Sequence, residues 1–259
     1  MKFEDIKFIK NSDGVVSIVL NRPSKRNAIS DNMMNELVKA IGLANSDDNC
    51  RLVKLEGSGK VFCAGGDLDW MRSQAASSRA DRMNEAKKLA NMFRIMDTAT
   101  KPILGIIRGH AFGGGLGLIS ICDYSICSSE VKFGLTETRL GLIPATISPY
   151  VFAKIGSTHS RDIFLSGEIF NALKAQRIGL VNEVVDSDIF EKSVESYVDY
   201  FKKTSIKAVS ASKQLIQMLR PKISDELINE TAKRLADTWE SDDAKRGIEG
   251  FLKSKRVEW

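Results

Sequence analysis

Two glycine-rich stretches in this chain each follow a segment that reads as a strand, a setting in which main-chain amides bind negative charge. The first, Gly57-Ser-Gly-Lys-Val-Phe-Cys-Ala-Gly-Gly-Asp67-Leu68, runs out of the alternating segment Arg51–Glu56. The second follows the apolar run Ile103–Ile107 and a turn at Arg108–Gly109–His110. It carries three consecutive glycines, Gly113, Gly114 and Gly115, ahead of the apolar helical segment Leu116–Ile121. Glycine lets the backbone come close to a ligand, and the first amides of a helix have no intrahelical acceptor. One such turn is a weak signal. Two of them, each after a strand, predict a pair of N–H groups able to hold a developing oxyanion.

The acid–base candidate is Glu137, which stands among Phe133, Leu135, Leu140, Leu142 and Ile143. A carboxyl in apolar surroundings holds its proton more tightly, which suits it to proton transfer near neutral pH. The plainer alternative is a surface glutamate facing water. If the segment is extended, Arg139 shares a face with Glu137, because side chains alternate with a period of two. Four cysteines (Cys50, Cys63, Cys122, Cys127) include no CxxC pair, and only His110 and His159 stand ready to assist them. The expectation is buried, reduced thiols and no metal site. The loop Asn21–Ile29 carries Arg22, Lys25 and Arg26, and reads equally as a solvated basic loop or an anion-binding one.

The elements that must position these groups follow from periodicity. Asp13–Gly14 between Phe3–Ile9 and Val15–Leu20 predicts a hairpin. Ser30 or Asp31 caps a helix with Met34, Leu37, Val38, Ile41 and Ala44 on one face. Val53 and Leu55 alternate with Lys54 and Glu56 as in a strand, and Asp67 suits the first turn of a helix. The small, polar residues Ser73–Ala80 read as a mobile loop. Met83–Met96 has helical spacing, and Asp123–Ser128 reads as a strand. Pro144 and Pro149 precede a helical stretch, Tyr150–Ile155. Recurring strand and helix give an α/β class. From Ile189 the pattern is helical: Ile206–Leu219 stops at Arg220–Pro221, Ser224 caps a stripe ending at Trp239, and Ser241 caps a last helix. This tail reads as an oligomerisation and lid element.

With 259 residues the chain has enough material for a full core. Its net charge of +5, from 38 basic and 33 acidic residues, is spread along the chain. It slightly favours a polyanionic small ligand and gives no nucleic-acid signature. No run is long enough to cross a bilayer, and MKFEDIKFIK has no signal-peptide core, so a cytoplasmic protein without membrane partners is expected.

The order LNRP, FCAGGDL at Phe62–Leu68, KPILGIIRGHAFGGG at Lys101–Gly115, CD at Cys122–Asp123 and FGLTETRLGLIP at Phe133–Pro144 resembles the enoyl-CoA hydratase/isomerase, or crotonase, family over essentially the whole chain. The resemblance implies a crotonase-like spiral of ββα units (residues 1–199) with a helical C-terminal region (200–259), assembled as homotrimers or dimers of trimers. It implies acyl-CoA thioester substrates, coenzyme A as part of the substrate, and no separate cofactor. It assigns the two oxyanion amides to Gly66 and Gly114. Contacts to the CoA thioester fall on Lys25, Arg26 and Ala28 and on the backbone of Ala64, Gly65, Gly66, Asp67 and Leu68. A lysine that in the family often meets the phosphates is replaced here by Ser254, between Lys253 and Lys255.

Gly117 occupies the position of the family's second glutamate, so only Glu137 remains to move protons. The run ETRLGLIPATISPYV, Glu137–Val151, resembles a bacterial branch that hydrates branched glutaconyl-CoA esters. That implies hydration of a branched or glutaconyl-type 2-enoyl-CoA such as 3-methylglutaconyl-CoA, with Arg139 facing a distal carboxylate. The alternatives are a Δ3,Δ2-enoyl-CoA isomerase with one glutamate, a decarboxylase, and a silent acyl-CoA-binding protein.

Overall fold

Among the described residues ten strands divide between two sheets, and the chain alternates between them. The structure is a computed structural model that describes residues 3–253, 255 and 257–259, so Ser254 lies outside the described residues. β1 (Ile6–Lys10) and β2 (Val15–Leu20) form the expected hairpin, and Ser30 caps α1 (Asp31–Asn45) by accepting from Met33 N at 3.0 Å. Then β3 (Leu52–Gly57) and β4 (Val61–Cys63) lead to α2 (Leu68–Ala76) and α3 (Arg79–Asp97). β5 (Ile103–Ile107) and β6 (His110–Phe112) lead to α4 (Gly114–Ser120). β7 (Tyr124–Ser128) and β8 (Lys132–Gly134) lead through a 3₁₀ turn, Glu137–Leu140, to α5 (Ser148–Ser166).

In each repeat the first strand joins a six-stranded sheet, ordered β1-β2-β3-β5-β7-β10. The second joins a four-stranded sheet, ordered β4-β6-β8-β9. Here β9 is Ile169–Asn171 and β10 is Glu183–Val185, separated by α6 (Ala172–Arg177). This is the expected spiral of ββα units. The large sheet is parallel beyond β2 and is covered on both faces. On β5, Ile103 and Ile107 enter the main core, while Leu104 and Ile106 meet Phe190, Val194 and Val198 of α7 (Phe190–Lys202). A strand buried on both faces needs an unbroken apolar run, which is why Ile103–Ile107 carries no polar residue.

The helical tail continues with α8 (Ile206–Leu219), α9 (Asp225–Trp239) and α10 (Asp242–Leu252), starting where the capping serines predict. It is fastened to the core by buried Lys213, whose Nζ donates to Asp123 Oδ2 at 2.7 Å and to Lys101 O at 3.0 Å. The division expected after position 199 falls inside α7.

Two expectations are corrected. Ser73–Ala80 is not a mobile loop: Ser73–Ala76 complete α2, Ser77 and Ser78 connect, and Arg79 opens α3. Small residues here are helix formers rather than linker, since alanine has the highest helix propensity and Ser78 caps α3 from its side chain. Arg139 does not share a face with Glu137. The Glu137–Leu140 segment is a 3₁₀ turn rather than a strand, and Arg139 points out to solvent. In a turn of three residues, positions two apart lie on different sides.

Candidate active site

Three loops meet because three short strands pair in parallel. β4 pairs with β6, with Cys63 opposite Ala111, and β6 pairs with β8, with Ala111 opposite Phe133. Parallel neighbours end on the same side of a sheet, so Ala64–Gly66, Gly113–Gly114 and Thr136–Glu137 all emerge at one edge. Ligand sites in parallel sheets form at such carboxyl ends. The two glycine loops touch. A Cβ added to Gly113 (φ +49°) would stand 3.6 Å from Gly65 Cα and 3.1 Å from Glu137 Oε1. Gly65 (φ +97°) also takes a backbone shape that side chains resist.

Hydrogen bonds fix the first loop and leave one amide over. Ile29 N donates to Gly65 O at 2.8 Å, and Asp67 N donates to Ile29 O at 3.1 Å. Between these two bonds, the Gly66 N–H has no acceptor among the described residues, and neither does that of Gly114, the first residue of α4. Asp67 caps α2 by accepting from Asp69 N and Trp70 N, and its Oδ2 lies 2.8 Å from Arg22 Nη1. Asp67→Ala therefore removes a helix cap and a nearly buried ion-pair partner. Urea denaturation is expected to show a loss of at least about 1 kcal/mol, with Asp67→Asn losing less because an amide oxygen still caps.

Glu137 faces this loop pair. The residue as a whole is half-buried, but its carboxyl is enclosed, and Oε2 has no hydrogen-bond partner among the described residues. Burial pushes the carboxyl up from its ordinary 4.5 to about 7. The cause is loss of water around the anion, since no other ionisable side chain lines the chamber among the described residues. The turn bearing Glu137 is held by Leu142 N donating to Glu137 O at 3.0 Å and by α10. A Cβ on Gly247 of α10 would meet Leu140 O at 2.4 Å, so this helix lies directly on the turn.

The chamber between these groups measures about 160 Å³. It is lined mainly by apolar side chains, among them Met34, Trp70, Leu89, Leu142, Ile147 and, from the tail, Leu235, Trp239 and Phe251. Of these, sequence reading places only Leu142 near Glu137. Trp239 and Phe251 do appear in it as apolar positions of amphipathic helices, but periodicity does not say what a stripe covers.

The position expected to lack a second carboxylate is not an empty place. A Cβ on Gly117 would stand 2.6 Å from Ile147 Cγ2 and 2.8 Å from Phe93 Cζ. Two core side chains fill the space a glutamate would need. Gly117→Glu is therefore expected to lower stability by about 1–3 kcal/mol or more in thermal denaturation, without raising the rate of any acid–base step.

The residues expected to contact CoA sit on two loops that bond to one another. Lys25 Nζ lies 3.0 Å from Asp69 Oδ2, both exposed, and Ala64 N donates to Arg26 O at 3.1 Å. Ala28 is buried, and Leu68 is exposed at the start of α2. Asn27, unremarked in the sequence, shapes this loop. Fully buried, its Nδ2 donates to Ser58 O and Val61 O at 2.8 and 2.7 Å. Arg26 and Asn27 both take φ +53°, a left-handed bend that this clamp maintains.

All four cysteines are buried and unpaired, and burial pushes the Cys63, Cys122 and Cys127 thiols up to about 12. They are poor nucleophiles. No helix among the described residues is long and apolar enough to cross a membrane.

A family model described as enoyl-CoA hydratase/isomerase matches residues 10–259. The crotonyl-CoA hydratase of Syntrophomonas wolfei is 27% identical over 259 residues, covering 99% of this chain and 98% of its own. The crystal structure of an enoyl-CoA hydratase from Shewanella pealeana superposes with a TM-score of 0.81 at 30% identity, covering 100% of this chain and 97% of that one. A Mycobacterium avium enoyl-CoA hydratase gives 0.85 at 26% identity, covering 98% of each chain. With the spiral fold, the paired glycine loops and the buried glutamate already in place, these matches settle the family: the chain belongs to the enoyl-CoA hydratase/isomerase family of acyl-CoA enzymes.

Proposed function

We propose that this enzyme adds water across the double bond of a 2-enoyl-CoA. The reading is supported above all by the unpaired Glu137 carboxyl, which faces the same chamber as the Gly66 and Gly114 amides. The thioester oxygen lies between the two N–H groups, and the CoA moiety follows Lys25–Ala28 and Ala64–Leu68. Glu137, ionised, takes a proton from water as its oxygen bonds to C3. The C2=C3 π pair moves into an enolate, whose negative oxygen the two amides hold. The proton on Glu137 then passes to C2, regenerating the carboxylate. One acid–base group serves both steps, so both new bonds form on one face of the acyl plane.

The chamber wall favours an uncharged acyl group. Among the described lining residues there is no lysine, arginine or histidine to meet a distal carboxylate, and Arg139 is at the surface. A branched hydrocarbon acyl chain suits this wall better than a glutaconyl one. Consumption of 3-methylcrotonyl-CoA faster than 3-methylglutaconyl-CoA is the expected result of a substrate panel.

One observation favours a second reading. Phe93 and Ile147 fill the place of the second carboxylate, and an isomerase moving a proton between C2 and C4 needs only one base. Product formed in ¹⁸O-labelled water separates the two, because hydration incorporates the label and isomerisation does not. Unlabelled product from a 3-enoyl-CoA, with no turnover of any 2-enoyl-CoA, sinks the hydratase proposal. Assembly as a homotrimer or dimer of trimers belongs to the same proposal, and light scattering of the purified protein tests it.

A further inference from the structure

Beyond the chamber, and on the far side of one side chain, lies a second cavity. It measures about 460 Å³, nearly three times the volume of the Glu137 chamber. Ala75, Ile248 and Leu252 supply its apolar wall, and the charged residues Arg82, Lys245 and Lys253 line it together with Glu240 and Glu249. Among the described residues, Trp239 is the single one that lines both spaces. The residue is 6% exposed and belongs to a small buried cluster with Leu142, which lines the chamber, Ile248, which lines the second cavity, and Ala244.

The position of this tryptophan is held from outside. It is the last residue of α9, and the neighbouring Asp237 and Glu240 both pair with Arg79 at the start of α3. The Ser241 cap of α10 follows directly, accepting from Ala244 N at 3.1 Å. The indole therefore stands as a fixed partition rather than as one side chain in a continuous wall.

We infer that Trp239 sets the acyl length this enzyme accepts. The indole closes the distal end of the chamber, so short and branched acyl groups fit in front of it. The second cavity offers room for the tail of a long straight chain once the indole is gone. The inference rests on the reading of the Glu137 chamber as the acyl site. It takes the occupant of the outer cavity to be the continuation of the same acyl chain, because the two spaces meet at a residue already lining the first. Burying additional methylenes in an apolar site discriminates by about 10–200-fold, so the effect is large enough to measure.

The test uses unreactive thioethers, S-butyl-CoA and S-dodecyl-CoA, so that it reads the gate whatever reaction the enzyme performs. Calorimetric Kd values are compared for the parent, for Trp239→Ala, and for Trp239→Leu, which keeps an apolar filler if the alanine variant melts too low. The parent is expected to prefer the butyl compound. The variants are expected to shift the butyl-to-dodecyl ratio by at least about 10-fold toward dodecyl. Ala75→Phe, added to Trp239→Ala, narrows the outer cavity and returns the ratio toward the parent value.

A parent that binds both lengths equally overturns the inference, as does a ratio that Trp239→Ala and Trp239→Leu leave unchanged. A shift that Ala75→Phe fails to reverse overturns the outer cavity as the place of the tail. If the thioethers shift as expected while labelled water never enters product, the gate stands and the hydratase reading alone falls.

Discussion

Glu137→Gln is expected to slow hydration of a short 2-enoyl-CoA by about 10²–10⁴-fold, the range for one positioned acid–base group. The amide keeps the shape of the side chain but cannot take the proton from water or return it to C2. Burial raises the Glu137 carboxyl to about 7, and hydration needs it ionised, so kcat/KM of the parent should climb with pH through that value. The variant should show no such limb. Residual activity within a few-fold of the parent, or a pH limb that survives the substitution, would remove Glu137 from the proposed role.

The same burial makes a stability prediction of opposite benefit. Below its ordinary value of 4.5 the carboxyl is protonated in both the folded and the unfolded chain. As pH rises, the unfolded chain ionises first, so the folded state loses stability until its own group titrates near 7. The rise from 4.5 to about 7 corresponds to about 3 kcal/mol, an upper figure for the cost of carrying this carboxylate above neutral pH. Glu137→Gln should therefore melt close to the parent near pH 4 and above it at pH 8. An inactive variant that is also more stable at alkaline pH is the signature of a buried base kept for chemistry. Equal melting at both pH values would mean that the carboxyl is solvated.

Gly114→Pro is the second large effect, expected at about 10²–10³-fold in kcat, the usual loss on removing one oxyanion donor. Proline deletes the N–H itself, which no side-chain change does. It is well tolerated as the first residue of a helix, and Gly114 is the first residue of α4. Proline and alanine share a Cβ whose nearest neighbour is Ile29 Cδ1 at 2.8 Å, the free end of a flexible side chain, and proline's Cδ in addition takes the place of the amide hydrogen. Gly114→Ala is thus the control for the crowding of the shared Cβ, with the amide kept. The proline variant should lose kcat far more than the alanine variant does, with thermal unfolding similar in the two. If both lose equally, crowding at Ile29 rather than the missing donor explains the result, and Gly114 leaves the oxyanion assignment.

Much of this was legible because local chemistry and tertiary demand agree. The run Ile103–Ile107 has no polar residue because its strand is covered on both faces, and composition reports that directly. Ser30, Ser224 and Ser241 announce their helices because a cap is a bond within one turn of chain. The two glycine stretches are visible for a similar reason, since glycine is favoured wherever the backbone turns left-handed or approaches another backbone.

Two expectations give way to local geometry, and one position is explained only by distant neighbours. Ser73–Ala80 reads as a loop because small residues have no apolar face of their own, whereas α2 and α3 are fixed by the Asp67 and Ser78 caps. Arg139 was placed beside Glu137 on the assumption of an extended segment, and the 3₁₀ turn sends it outward. Gly117 looked like an absence in the sequence. Only the fold shows that Phe93 and Ile147, 24 positions earlier and 30 later, occupy its place.

The amino-acid sequence by itself determined the α/β class, the two glycine turns, the single glutamate and the caps of the helical tail, because each is a property of neighbouring residues. The tertiary structure alone decided that β4, β6 and β8 lie side by side in parallel, bringing the two amides and the carboxyl to one edge. It alone decided that Trp239 stands between two cavities. The physical reason is the same in each case: strand register and helix docking are set by long-range packing, and no local pattern encodes which distant side chain will fill a given space.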